Sequence, residues 1–335
     1  MVDTSTTTLH EEARPPLELL DHLVQEVEKV FHGKQDVVRL AVAALLARGH
    51  ILFEDVPGVG KTTLSHALAK SLGLGFRRIQ FTSDLLPSDV LGVSVYNPQT
   101  SAFETRPGPI FTNVIVADEI NRAPAKVQSG LLEAMQEHQV TLGGTAYALP
   151  DPFLVMATQN PVEQEGTYPL PEAQVDRFLF KLIVDYPSES NERLMMSKWG
   201  QVTESPKVGS VSSPSELLEL REYVDKVHVS EELMGYMLSL VRETRKRVGD
   251  SEDDGIEKVF SFGASPRASL ALVQASRAMA FLRGQAFVTP DVVQEIFLDV
   301  LRHRVGLTYE AEASNKTPDE ILLEILRTTP IPGSF

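Results

Sequence analysis

The sequence contains no cysteine, which removes disulfides and thiolate metal sites from consideration. It also lacks any run near the ~18 to 20 consecutive apolar residues that a membrane-spanning helix needs. Met1 to Glu12 carries no basic region followed by an apolar one, so a cytoplasmic protein without a membrane span is the expectation. Positive charge is short too. Against 46 Asp and Glu there are 31 Lys and Arg, a formal net charge of −15, and that field repels a phosphate backbone. Nucleic acid is therefore not an expected partner. The eight histidines are scattered, and none pairs into a metal-ligand spacing.

What is present is an ordinary globular composition, 42% apolar and 23% charged over 335 residues, enough chain for about two domains. Residues 1–15, rich in Thr and ending in Pro15-Pro16, read as a mobile tail. From Leu17 to Arg48 apolar residues recur at helical spacing with a break near Gly33, which predicts two helices. Strand-like apolar runs follow at Ile51 to Phe53, Phe76 to Phe81, Val114 to Ala117, Phe153 to Ala157 and Phe178 to Val184. They are separated by helical or looped segments, which predicts a parallel α/β sheet. Beyond Pro187 strand signals cease and helical periodicity takes over. Ser265-Pro266 and Thr289-Pro290 each pair an N-cap hydroxyl with a proline at the first helical position. The division expected is an α/β core over 16–187 and a helical domain over 188–335.

Chemistry concentrates at two strand ends. Asp55-Val56-Pro57-Gly58-Val59-Gly60-Lys61-Thr62 lies between a strand and a helix, where backbone N–H groups and the positive helix end cradle phosphates. Pro57, Gly58, Val59, Gly60, Lys61, Thr62 and Thr63 are the expected nucleotide contacts, with Lys61 on the β/γ-phosphates and the Thr62 hydroxyl on Mg²⁺. The G-x-x-x-x-G-K-[ST] pattern fails at its first position, where Asp55 stands, and a carboxylate there is expected to turn away from the triphosphate. The second strand, Val114 to Ala117, ends in Asp118 and Glu119. Asp118 is the expected second metal ligand and Glu119 the general base that orients and deprotonates water. An apolar run ending in two acids is by itself common; the upstream loop makes the pair specific.

These segments resemble the MoxR family of AAA+ ATPases. The similarity rests on EDVPGVGKT at Glu54 to Thr62, ADEINRAPAKVQ at Ala117 to Gln128, MATQNP at Met156 to Pro161, LPEAQVDRF at Leu170 to Phe178 and SPRAS at Ser265 to Ser269, and covers residues 17 to 310. It implies a P-loop core, a parallel sheet sandwiched by helices, with a helix-2 insert and a pre-sensor hairpin, and a smaller all-α lid. Aspartate at the position of Asp55 is usual in that family. Residue by residue, the resemblance makes Asn160 a sensor of the γ-phosphate, Arg177 an arginine finger lent to a neighbouring subunit, and Arg267 a second sensor at the start of a lid helix. Read from spacing alone, the lesser alternatives are Asn160 as a turn residue before Pro161, Arg177 in an ion pair with Asp176 or Glu172, and Arg267 as a salt-bridged surface charge. Val30, Phe31 and Gly33 precede the core where this superfamily seats adenine, though a glycine helix stop reads the same.

Val93 to Tyr96 with Asn97-Pro98 and Phe103 predicts one hairpin. Gln139 to Leu142, with Gly143-Gly144 as turn and a return through Thr145 to Leu149, predicts another. The resemblance turns both toward the channel of a homo-hexameric ring that uses ATP and Mg²⁺ to remodel partners, among them proteins with von Willebrand factor A domains. A magnesium-chelatase-like motor shares these parts. A nucleic-acid motor predicts basic hairpin tips, and neither Val93 to Asn97 nor Thr141 to Thr145 contains Lys or Arg. A sigma-54 activator needs the string GAFTGA, which is missing. A scaffold that binds ATP without turnover is disfavoured by the joint presence of Lys61, Asp118, Glu119, Asn160 and Arg177.

Overall fold

A computed structural model of the chain describes residues 14–55, 60–159, 167–199, 208–249 and 257–333. The expected tail lies outside the described residues up to position 13. The two predicted leading helices are α1 (Arg14–Glu28) and α2 (Gln35–Leu46), separated at Gly33, whose φ of +75° suits a residue without a Cβ.

Five of the strands are β1 (Ile51–Asp55), β2 (Phe76–Gln80), β5 (Val114–Asp118), β8 (Leu154–Gln159) and β9 (Phe180–Val184). Two antiparallel hairpins stand between them, β3 (Gly92–Asn97) with β4 (Ala102–Pro107) and β6 (Gln139–Leu142) with β7 (Thr145–Ala148). The connecting helices are α3 (Lys61–Ser71), α4 (Pro87–Leu91), α5 (Ala125–Glu137) and α6 (Glu172–Val175). The five strands form one parallel sheet in the order β2-β5-β8-β1-β9.

Helices cover both faces of the sheet, so β5 and β8 are buried without polar alternation. Alternate residues still part company by face. Ile51 and Phe53 join the core shared with α1, α2 and α3, while Leu52, Ile115 and Ala117 join the core under α5 and the hairpins. Phe53 is fully buried, and a side chain of that size contributes about 1.5–3 kcal/mol on leaving water.

The helical part comprises α7 (Glu189–Trp199), α8 (Pro214–Lys226), α9 (Glu231–Lys246), α10 (Pro266–Leu282), α11 (Pro290–Leu301), α12 (Tyr309–Ala313) and α13 (Pro318–Thr328). The two predicted helix starts are α10 and α11. Ser265 caps α10 as expected, its Oγ accepting from the Arg267 N–H at 3.1 Å. Thr289 stands at the N-cap of α11 but makes no side-chain cap bond. A short ribbon of β10 (Phe260–Phe262) and β11 (Gly306–Leu307) interrupts the helices; strands this brief carry no readable alternation. α10 packs on α2 and α11, which fuses the helical part to the first core.

Candidate nucleotide site

The first turn of α3 forms one side of the site. Val56–Val59, and with them the expected contacts Pro57, Gly58 and Val59, lie outside the described residues, as does the side chain of Asp55. The chain returns at Gly60 with φ +90°, in the left-handed region that glycine enters without strain. A Cβ at Gly60 would meet the Phe31 ring at 3.4 Å. Lys61, Thr62 and Thr63 then open the helix, and its first turn contains no acidic residue. The first-turn N–H groups and positive end of α3 make this helix start a fit for an anion.

The second side is the end of β5. Parallel order sets β5 and β1 on either flank of β8, and α3 lies across β5 and β2. Asp118 is 7% exposed. Its Oδ1 accepts from Thr158 Oγ1 at 3.3 Å and its Oδ2 from Arg78 Nε at 2.5 Å. Glu119 turns out of the strand with φ +55°, a conformation that costs a non-glycine residue about 1–3 kcal/mol. Its N–H donates to Thr158 Oγ1 at 2.8 Å, and its Oε2 takes Gln80 Nε2 at 2.7 Å and Arg122 Nη1 at 3.2 Å.

Three of these partners escape sequence reading. Thr158 ties both acids to β8, while Arg78 and Gln80 reach them from β2. Nothing in the sequence around Phe76 to Gln80 marks those polar residues, because their role exists only once β2 pairs with β5. Asn160, the expected sensor, lies outside the described residues. Hard oxygen donors, the Thr62 hydroxyl and the Asp118 carboxylate, stand at the two sides of the site. They fit Mg²⁺, which is held by few protein oxygens together with substrate phosphates.

Gly33 lies near this end as well. A Cβ there would fall 1.9 Å from Asn191 Nδ2, so the turn packs directly on α7. Lys34 Nζ donates to the Asp185 carbonyl, and Val30 and Phe31 are buried.

Arg177 and Arg267 are elsewhere, and together. Both line a cleft of about 600 Å³ whose walls include Gly49, His50, Gln136 and Arg277. Gly49 and His50 precede β1, so the cleft opens at the strand-start edge of the sheet. The five residues of β1 run from it to the far end of that strand at Asp55, roughly 17 Å at ~3.3 Å per residue. Arg177 Nη1 donates to the Leu132 carbonyl at 2.6 Å, and its Nε is buried without a partner among the described residues. The ion pairs with Asp176 or Glu172 that its spacing allows are not formed. Asp176 is taken instead by Arg304 Nε at 2.8 Å and Ser265 Oγ at 2.7 Å. Arg267 Nη2 donates to Gln136 Oε1 at 3.3 Å. His50 adds no charge, since burial lowers its pKa to about 4. Its neutral ring has Nε2 3.2 Å from the Met135 carbonyl and Nδ1 accepting from the Val155 N–H at 3.1 Å.

Residues 50–180 match the family described as "ATPase family associated with various cellular activities (AAA)", and residues 255–325 match an AAA lid domain. The chain is 44% identical to Chaperone MoxR1 of Mycobacterium tuberculosis over 313 residues, 93% of this chain and 82% of that protein. It is 30% identical to Protein MoxR of Methylorubrum extorquens over 329 residues, 92% of this chain and 94% of that one. A crystal structure from Cytophaga hutchinsonii, of a protein assigned as an ATPase, superposes with a TM-score of 0.89 at 42% identity, covering 98% of this chain and 99% of the other.

Proposed function

The chain belongs to the MoxR family of AAA ATPases, and from that premise we propose that it is a Mg-ATP-driven, chaperone-like remodelling protein that works as a homo-hexameric ring. The observation that carries the ring is the separation of charges. Lys61, Thr62, Asp118 and Glu119 serve one edge of the sheet, and Arg177 and Arg267 share a cleft at the opposite edge. An arginine side chain does not bridge a strand's length, so both arginines reach a triphosphate only on a neighbouring subunit. Head-to-tail contact of this kind generates a ring when the rotation between neighbours closes.

In this reading the α3 amides and Lys61 hold the β- and γ-phosphates, and Val30, Phe31 and Gly33 border the base. Thr62 and Asp118 would hold Mg²⁺, which would supply positive charge against the negative charge that develops during phosphoryl transfer. Glu119, positioned by Thr158, Gln80 and Arg122, takes the proton of the attacking water, and Asn160 orients that water. Arg177 and Arg267 from the neighbour offset charge on the transferred group, an effect worth on the order of 10³–10⁵ in rate for arginine fingers. The named relative MoxR1, a chaperone, supports remodelling as the output. Clients with von Willebrand factor A domains and a cytoplasmic setting belong to the same proposal. No helix among the described residues is long and apolar enough to cross a membrane.

A substrate trap tests this. Glu119→Gln is expected to bind ATP as tightly as the parent, to lose at least about 99% of turnover, and to retain a client from host lysate only with ATP. Full turnover by Glu119→Gln, or capture of nuclease-sensitive complexes in place of protein, would overturn the assignment.

A further inference from the structure

β2 is an edge strand of the sheet, and residues two apart on it share a face. On that face Arg78 and Gln80 meet the two acids closing β5. Gln80 pairs with Asp118 in the strand register, and the Arg78 guanidinium lies back over the same carboxylate, Nε to Oδ2 at 2.5 Å. Since Thr158 occupies Oδ1, both oxygens of the acid given to the metal are engaged by protein groups, one of them by a cation. The two partners differ in freedom. The Asp118 side chain is 11% exposed and fixed within the sheet, whereas that of Arg78 is 54% exposed. When the pair opens, the arginine is the member that moves, because water receives it.

We propose that Arg78 is a positioning residue that competes with Mg²⁺ for Asp118. It neutralises the carboxylate while the site is empty, and it yields only when the metal arrives with the charge of a triphosphate. Free Mg²⁺ alone meets a guanidinium on its ligand and is repelled. The effect makes loading of metal and nucleotide a joint event. This inference rests on the ATPase reading and adds a control on the metal that the reading does not contain.

The test is a Mg²⁺ titration of the full chain with a fluorescent ATP analogue, reading bound nucleotide and the half-saturating Mg²⁺ concentration. Arg78→Gln is expected to lower that concentration about tenfold, the low end of a neighbouring charge's effect because Arg78 stands half in water. Arg78→Lys keeps the charge and is expected to stay near the parent. Arg77→Ala removes an equal charge from the other face of β2 and is expected to stay within about twofold. An unchanged or raised Mg²⁺ requirement in Arg78→Gln overturns the proposal, as does an equal drop in Arg77→Ala, which would make the effect one of bulk charge. If the parent takes up the analogue with no dependence on Mg²⁺, the ATPase reading's metal fails, and the inference with it. Thermal unfolding without nucleotide checks the fold of each variant. Should Arg78→Gln not fold, Arg78→Met, which keeps the apolar stem, is titrated in its place with the same two outcomes.

Discussion

Arg304 is 4% exposed, and its guanidinium spans five acceptors. Nε binds Asp176 Oδ1, and the two Nη groups reach the carbonyls of Asp176, Phe178, Leu179 and Val300. Burial lowers its pKa to about 10, which leaves it charged near neutrality. From its position after α11 it clamps the segment that carries Arg177. Removing one partner of such a pair strands a buried charge, so Arg304→Ala is expected to cost about 3–5 kcal/mol in denaturant unfolding. ATP turnover should fall more than nucleotide binding, because Lys61 and Thr62, the proposed phosphate and metal contacts, are at the other edge. Arg193→Ala, whose partner Glu189 is as exposed as Arg193 itself, should cost under about 0.5 kcal/mol. Similar losses in the two variants would refute the clamp. At this scale the sequence is legible only where chemistry and local chain direction coincide, as at Lys61 and Thr62 after a strand, or Asp118 and Glu119 ending one. Arg304, Thr158 and Gln80 act across strands dozens of residues away, and no local pattern announces them.

The two hairpins form a joined unit. Thr105 Oγ1 and Tyr147 Oη are 2.8 Å apart, and a Cβ on Gly143 would meet Ser94 at 3.0 Å. Tyr96 and Phe103 pack edge to face, with centroids 5.4 Å apart, on strands that leave Phe103 73% exposed. Large aromatics in water are more often contact surface than support. Replacing both by Ser is expected to leave the unfolding midpoint within about 2 °C, since little buried area is lost. Capture of the client by the Glu119→Gln trap should drop at least about tenfold, a contact of hot-spot size. Undiminished capture would remove the hairpins from the client surface. The second hairpin was readable because its turn needs two residues at positive φ and has Gly143 and Gly144, at +58° and +85°. The first was readable from alternation at Val93 to Tyr96. The β10/β11 ribbon was not, being too short for a period to develop. Thr289 shows that a hydroxyl beside a proline marks a helix start without ensuring that the hydroxyl caps it.

Across the whole molecule, two half-sites face opposite ways along the strands. One edge offers the amides opening α3, Lys61 and the acids, which the proposed function gives to phosphate and metal; the other offers Arg177 and Arg267. That polarity is written in strand order, which the sequence carries only as alternation of strands and helices, so the joint placement of the two arginines had to come from the fold. The net charge of −15 makes the arginine cleft a local exception to the molecule's field, and it suits the cleft to a neighbour's triphosphate. The most direct measurement is ATP turnover in mixed rings of Arg177→Ala and Glu119→Gln subunits, with exchange verified by energy transfer between labels. Each variant alone should be nearly inactive. At equal mixing about a quarter of the head-to-tail interfaces join an intact Glu119 to an intact Arg177, and turnover should recover toward that fraction. No recovery in rings shown to be mixed would contradict a site built from two subunits.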